Sequence, residues 1–365
     1  MRAEVVRPED LGPAETARWI EIQEADPELA SPFLRPEMAL AIGRLWPDTR
    51  VAVLHDGPDL AGFVPFHQGR LGVGRALGLG LTDWQAAVLA PGTPWDAAAL
   101  RRATGVAVWE FDHLVPSQAS ALGAPRTELH ASPVMDLSDG WDAWIERRKG
   151  SGRIKKALYH GRRLGRQVGP VESELDTSDP GDLDVLMRWK SAQYRRTGRR
   201  DRFAQPQVVD LVRDLVATRT PGFAAHLSTM RVDGRTVAVC LALRSHGTLA
   251  HWFPAYDTEL HRYQPGLVQL LEMVRLAAED GVTTFDLGAG EHDYKDSFKD
   301  DELTVASGTV RGPGPAGWLH AARTEPPRMA TDFVLRHPKL RLTARKALQR
   351  VGSLRDRTPS ANSGE

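Results

Sequence analysis

The stretch from Ala250 to Lys299 constrains the fold more than any other part of the chain. It reads AHWFPAYDTELHRYQPGLVQLLEMVRLAAEDGVTTFDLGAGEHDYKDSFK: a strand, a Pro-Gly helix entry, an amphipathic helix, a second strand ending in FDLGAG, and a Tyr-Lys pair. After Pro265-Gly266, the residues Leu267, Leu270, Leu271, Val274, Ala277 and Ala278 recur at the spacing of a helix face packed on a sheet. Gly281 stops that helix, and Val282–Leu287 returns to the sheet. Such a crossover makes the two strands parallel. It also points the helix's first free amides into the gap between them, a ready seat for the diphosphate of a nucleotide-bearing cofactor.

The rest of the C-terminal half extends this unit. Val168–Leu175 reads as a strand, 182–196 as a helix, and a second helix opens at Pro206. Three strands follow, Ala224–Val232, Thr236–Arg244 and Thr248–Tyr256, joined at Asp233-Gly234 and His246-Gly247. Leu303–Val310 supplies one more. The order is β-α-α-β-β-β-α-β-(short helix)-β. The N-terminal half echoes it. Helical stretches near 13–24 and 35–45 precede the hairpin VAVLHDGPDLAGFVPF, a loose double of STMRVDGRTVAVCLAL. Glycine-rich LGVGRALGLGLTDWQ comes next, then a helix near 96–103 and the strand Val106–Phe111. An internal duplication follows. LGVGRALGLG has no phosphate-loop frame and is expected to be a flexible hairpin or a sheet-edge crossing.

At 365 residues the chain suits two domains, and its 41% hydrophobic content is that of a globular protein. No signal pattern or spanning apolar run is present, so a cytoplasmic home is the default. Residues 1–140 carry 11 Arg and no Lys against 19 acids, a net of −8; residues 141–365 carry the remaining 36 basic and 28 acidic residues, a net of +8. Anionic ligands at the C-terminal half, or a salt-laced contact between halves, both account for this. The run 146–166 holds nine Lys+Arg and one acid. It suits phosphates of a sugar nucleotide, of CoA or of a tRNA, or a solvated helix between domains. Nucleic acid is the lesser reading, since no RNA-binding signature accompanies the run. Cys240 lies in the strand-like TVAVCLAL as a buried, inert thiol. No Cys/His spacing of a metal site exists. Leu340, Ala344, Ala347, Leu348 and Val351 form an apolar stripe among cations, so 339–351 docks on its own domain or makes a peripheral membrane contact.

The pieces SPFLRPEM at 31–38, LTDWQAAVLAP at 81–91, RWKSAQYRRTGRRDRF at 188–203, YQPG at 263–266 and FDLGAGEHDYKDSF at 285–298 resemble the GNAT acetyltransferase superfamily. More narrowly they resemble its BioF2-like and CelD-like acetyltransferases of polysaccharide biosynthesis, relatives of the FemAB peptidyl transferases. The resemblance spans residues 30–310. It implies an α/β (α+β) fold of tandem GNAT-like domains, each a mixed, largely antiparallel sheet flanked by helices. Those would be 1–140, a basic connecting helix at 141–167, an acyltransferase domain at 168–312, and a basic helix and mobile tail at 313–365. It implies acetyl-CoA or another acyl-CoA as co-substrate, no metal, and a small-molecule or sugar-nucleotide acceptor. A FemAB-like aminoacyl-tRNA-dependent transferase and a non-catalytic GNAT-like partner in envelope assembly are the alternatives. The superfamily's usual loop, Q/R-x-x-G-x-G/A, is replaced here by YQPGLVQ.

The cofactor site would be Tyr263, Gln264, Pro265, Gly266 and Leu267, with Gly266 letting a diphosphate approach the backbone. Lys295 would stabilise developing negative charge, an effect of about 3 kcal/mol for one good donor; Tyr294 would protonate the leaving thiolate. An attacking amine needs a base. Asp286, Glu291, His292 and His251 are the candidates in that order, with Asp257 beside them, and Asp286 leads because open α/β sheets bind ligands at strand C-termini.

Overall fold

The computed structural model describes residues 1–290 and 293–324; Glu291, His292 and the stripe at 339–351 lie outside them. Helices α1 (Pro13–Ala25) and α2 (Pro36–Leu45) stand between strand β1 (Arg2–Val6) and the hairpin β2 (Thr49–Asp56)–β3 (Asp59–Gln68). Then come β4 (Val73–Ala76), β5 (Val88–Leu89), α3 (Ala97–Thr104), β6 (Val108–Leu114), α4 (Pro116–Leu122) and β7 (Thr127–Asp136). Helices α5 (Gly140–Arg148) and α6 (Gly152–Gln167) lead to β8 (Val171–Glu174), α7 (Pro180–Thr197), α8 (Pro206–Ala217) and β9 (Arg219–Thr220). The chain continues through β10 (Phe223–Val232), β11 (Arg235–Ser245), β12 (Thr248–Tyr256), α9 (Pro265–Glu279), β13 (Thr284–Asp286), α10 (Lys295–Phe298) and β14 (Asp301–Arg311).

Twelve of these strands form one path, β1-β2-β3-β4-β6-β14-β7-β13-β12-β11-β10-β8. The path is a palindrome. Counted inward from either end, three antiparallel pairs are followed by a parallel one, β4 with β6 and β12 with β13, and then an antiparallel one. At the centre β14 and β7 pair antiparallel, from Asp301↔Val134 to Gly308↔Thr127. The duplication read from sequence is thus a pseudo-twofold, and each half lends its last strand to the other. Local chemistry fixes the hairpins: at the β10–β11 turn, Asp233 (φ 51) and Gly234 (φ 74) take the two left-handed positions that an Asp-Gly pair tolerates best.

One hydrophobic core crosses the seam. Residues of α1 and α2 (Trp19, Ile22, Met38, Ile42) cluster with residues of α7 and α8 (Leu186, Val208, Leu211, Leu215) on the same face of the sheet. The opposite face of the C-terminal half packs α9, α6 and α5 around Cys240, Phe285 and Trp144. Arg35, fully buried, ties the halves together. It pairs with Glu37 at 2.9 Å and donates to the Pro221 carbonyl at 3.3 Å, while its Nη1 lies 3.2 Å from His246.

Two expectations change. LGVGRALGLG is not a sheet-edge crossing: its β4 closes a hairpin with β3 and is held inside the sheet between β3 and β6. The basic connection is two helices broken at Gly150 rather than one. Strands β1 and β7 have no counterpart among the expected elements.

Candidate functional site

The parallel pairing of β12 with β13 is short. It runs Thr248↔Thr284, Leu249↔Phe285, Ala250↔Asp286 and stops, while β12 continues to Tyr256. The chain after Asp286 turns off through Gly288, whose φ of 75° favours glycine. A Cβ there would also meet the Asp83 carboxylate at 2.9 Å. The two strands therefore part, and the wedge between them is lined from both halves of the molecule.

Asp286 forms its floor, 3% exposed. Its carboxylate accepts from the Gly288 amide at 2.8 Å, the Trp84 indole at 2.7 Å and the Ser132 hydroxyl at 3.3 Å. Burial pushes it above the usual carboxylate range, and those donors, with Lys295, pull it back part of the way. Asp83 lies beside it, on the loop after β4, and no described residue hydrogen-bonds its carboxylate. Burial first, and then the Asp286 charge, push Asp83 up to about 6. Lys295 is 4% exposed and donates to the carbonyls of Gly288 at 2.8 Å and Ala289 at 3.2 Å. It staples the turn that opens the wedge. Burial lowers its pKa and the two aspartates oppose that. One carboxylate is saturated with donors and its neighbour is not.

The β12 wall carries His251, 7% exposed; burial, with Lys190 and Lys295, pushes it down to about 3, so the ring is neutral. Lys190 reaches in from α7 to the Pro254 carbonyl at 3.0 Å, and burial lowers it to about 8. Tyr294, just before α10, is pushed up to about 12 by burial. Burial also raises the Cys240 thiol, consistent with an inert side chain. Asp257 is structural: it caps the following turn through the Glu259 amide at 2.9 Å and pairs with Arg235.

The start of α9 stands past the far end of β12. Gln264 adopts a left-handed conformation (φ 49) and its carbonyl accepts from Leu267 at 3.0 Å and Val268 at 3.1 Å. Pro265 has no amide hydrogen, so the Gly266 N–H is the one left at this end. A Cβ on Gly266 would meet the Tyr256 ring at 2.9 Å. The glycine thus makes room for a ring of its own chain. Tyr263 is buried, its ring 4.8 Å from the Arg262 guanidinium and 5.2 Å from that of Arg163, and its hydroxyl accepts from Arg262 at 2.9 Å. It packs the helix entry.

The structure brings together Asp286, Lys295 and His251, packs Tyr294 against the core that holds Cys240, and sets the α9 start apart, beyond Tyr256. Asp83, Trp84, Ser132 and Lys190 were not read from sequence as site residues. LTDWQ and RWKSAQY were noted as segments, and the only further signal was an Asp-Trp pair in a glycine-rich turn. The same turn serves both halves. Trp84 donates to Asp286 of β13, and the next residue, Gln85, donates to Asp112 of β6. These two aspartates follow a phenylalanine at matching places, in TFD and EFD.

Residues 152–296 match the family described as Acetyltransferase (GNAT) domain, a match that supports acyl transfer. Among solved structures, the C-terminal DUF2156 domain assigned to a lysylphosphatidylglycerol synthetase of Agrobacterium fabrum is similar at 14% identity. The match covers 85% of this chain and 96% of that one, with a TM-score of 0.53. L-PGS from Bacillus licheniformis is similar at 10% identity over 83% of this chain and 93% of that one, TM-score 0.50. FemX is similar at 11% identity over 84% and 96%, TM-score 0.51. At such identities the likeness is one of fold. No protein of curated function matches the chain in sequence. Among the described residues no group of His, Cys, Asp and Glu is placed to hold a metal ion, and no helix is long and apolar enough to cross a membrane.

Proposed function

We propose that the chain transfers an acyl group from acyl-CoA, acetyl-CoA being the simplest donor, to an amino or hydroxyl group. The acceptor would be a sugar, nucleotide-sugar or polysaccharide precursor, as the BioF2-like and CelD-like resemblance suggests. The observation that carries this reading is the Asp83 carboxylate, without a hydrogen-bond donor among the described residues, beside the donor-saturated Asp286, in a wedge at the end of a parallel strand pair. A carboxylate near 6 is mostly ionised at neutral pH yet basic enough to take an amine proton as the nucleophile attacks. Asp286 orients the turn, and Lys295 keeps it open.

In the step itself, the acceptor nitrogen or oxygen bonds to the thioester carbon and its proton passes to Asp83. The C–S bond breaks, and its electron pair leaves on sulfur. Backbone amides of β12 beyond Ala250 are free of β13 and available to the carbonyl oxygen. Tyr294, near 12, is too weak an acid to surrender its proton to a thiolate whose acid has a pKa of about 8.5. It stays neutral and donates a hydrogen bond to the sulfur instead. The diphosphate of CoA would lie toward the Gly266 amide and the adjoining cations of α6. Release of free thiol from acetyl-CoA in the presence of amino-sugar acceptors tests the reading. Turnover that collapses in Asp83→Asn is expected, and CoA binding absent by calorimetry would sink it.

An aminoacyl-tRNA-dependent reaction is the second reading, favoured by α6, which packs along α9 and exposes Lys155, Lys156, Arg162 and Arg166. It requires tRNA binding that weakens steeply with salt.

A further inference from the structure

The wall of the wedge opposite α9 is built by α7 and the loop after it, and its cations are arranged in depth. Lys190 and Tyr194 are one turn apart and share a helix face. Lys190, 8% exposed, lies 5.6 Å from the centre of the Tyr194 ring. At the end of α7, Gly198 (φ 67) reverses the chain, and the Arg199 amide bonds the Tyr194 carbonyl at 3.0 Å. Arg199 is exposed, its charge acts on both Tyr194 and Lys190, and no described residue pairs with its guanidinium. Its neighbours are spent. Asp201 binds Ser191 and Arg195, and Arg202 donates to the carbonyls of Leu79 at 3.4 Å and Gly80 at 3.2 Å in the loop that carries Asp83.

Cations at a helix C-terminus are favoured by its dipole, which accounts for Arg195 and Arg196. It does not account for Lys190, two turns inside the helix and withdrawn from water at a cost in solvation. The ammonium has three N–H donors, and one is used on Pro254. From the rim inward the order is Arg199, exposed, Tyr194, half-buried, and Lys190, buried, and the Asp83 charge acts on Tyr194.

We infer that this face is an anion subsite for the acceptor, so that the acceptor is an amine or alcohol that also bears a phosphate or carboxylate. Arg199 and Lys190 hold the anionic group while the nucleophile meets Asp83. The inference rests on the acyl-transfer reading of the same wedge. It makes uncharged amino sugars poor acceptors and their phosphates or uronates good ones.

Thermal unfolding of the full chain tests it, with phosphate, acetate or chloride at equal ionic strength and separately with CoA. Phosphate also stabilises proteins by exclusion from their surfaces, so the readout is the difference between variants. A phosphate or acetate gain over chloride that is lost in Arg199→Ser and Lys190→Met supports the inference, and which anion gives it identifies the group. Apparent affinity should fall about tenfold or more in Arg199→Ser, as for one charge-assisted contact. Arg199 is exposed, so its variant folds even if Lys190→Met does not. A gain that survives Arg199→Ser, or no gain over chloride, overturns it. The CoA shift is expected in both variants; its absence from the wild type would instead sink the donor assignment and leave the anion result to stand alone.

Discussion

Between β12 and β13 the chain builds the helix α9, whereas between β4 and β6, the equivalent pair, it builds a long loop, the short β5 and the eight-residue α3. The two joints have the same strands on either side and opposite contents. In the C-terminal half a helix starts at the joint and leaves a wedge. In the N-terminal half the joint is plugged by Leu77, Trp84, Trp95, Trp109 and Leu114 around a small apolar cavity. What the plug gives up in cofactor space it returns as side chains: Asp83 and Trp84 ride on it into the other half's wedge. On the proposed reading, the duplicated scaffold divides the work, one copy holding the donor and the other supplying the base.

The harshest test of that division is Asp83→Asn, which keeps the shape and removes the proton acceptor. We expect kcat to fall by about a hundred- to ten-thousandfold, the usual worth of general-base catalysis. In the wild type the rate should rise with pH through about 6 and then level, because the ionised form is the active one. Stability should move the other way. The folded-state pKa of Asp83 lies above its reference of 3.8, so the stability its protonated form confers is lost as pH climbs from 3.8 to about 6. Asp83→Asn is therefore expected to be more stable at neutral pH, by on the order of 1 kcal/mol after discounting for partial exposure. An unchanged kcat would end the idea that the N-terminal half takes part in the chemistry.

Counting the donor sharpens the same contrast. Calorimetry should find one CoA per chain, since the plugged joint leaves no second seat, and a stoichiometry of two would break it. Trp84→Phe comes next. It removes one indole N–H from a buried carboxylate and should cost about 2 kcal/mol in denaturant unfolding. The acid limb of the rate profile should shift to higher pH, because Asp83 then faces a less well-held Asp286. The smallest effect is at the helix start. Gly266→Ala should destabilise by about 1 kcal/mol, although alanine is normally the better helix residue, and Tyr256→Ala should abolish the penalty. A penalty that persists in the double variant would mean that the glycine serves something other than that ring.

Local pattern carried much of the fold and little of the site. β12 was legible to the residue, and α9 to within its first turn, because a Pro-Gly entry and an i, i+3, i+4 stripe are local signals. β7 was not. Its first five residues, TELHA, are exposed or half-buried and show no alternation, and its partners lie more than a hundred residues downstream. Asp286 stood out because it ends a recognisable strand. Asp83 did not: its role depends on meeting Asp286 and Gly288 across the pseudo-twofold, which no spacing encodes. For Gly266 the reverse held. The residue looked like a ligand's clearance, and in the fold a Cβ there would also meet the Tyr256 ring, a packing relation invisible until β12 and α9 are folded against each other.

The exchange of β7 and β14 at the centre also governs how the wedge can be entered. An unbroken ladder of main-chain hydrogen bonds runs from one outer strand to the other, so the halves cannot swing apart as jaws do on a hinge. Opening them would mean unzipping the sheet along β7 and β14, far costlier than rearranging a loop. On the acyl-transfer reading, substrates would therefore have to reach the wedge without any parting of the two halves.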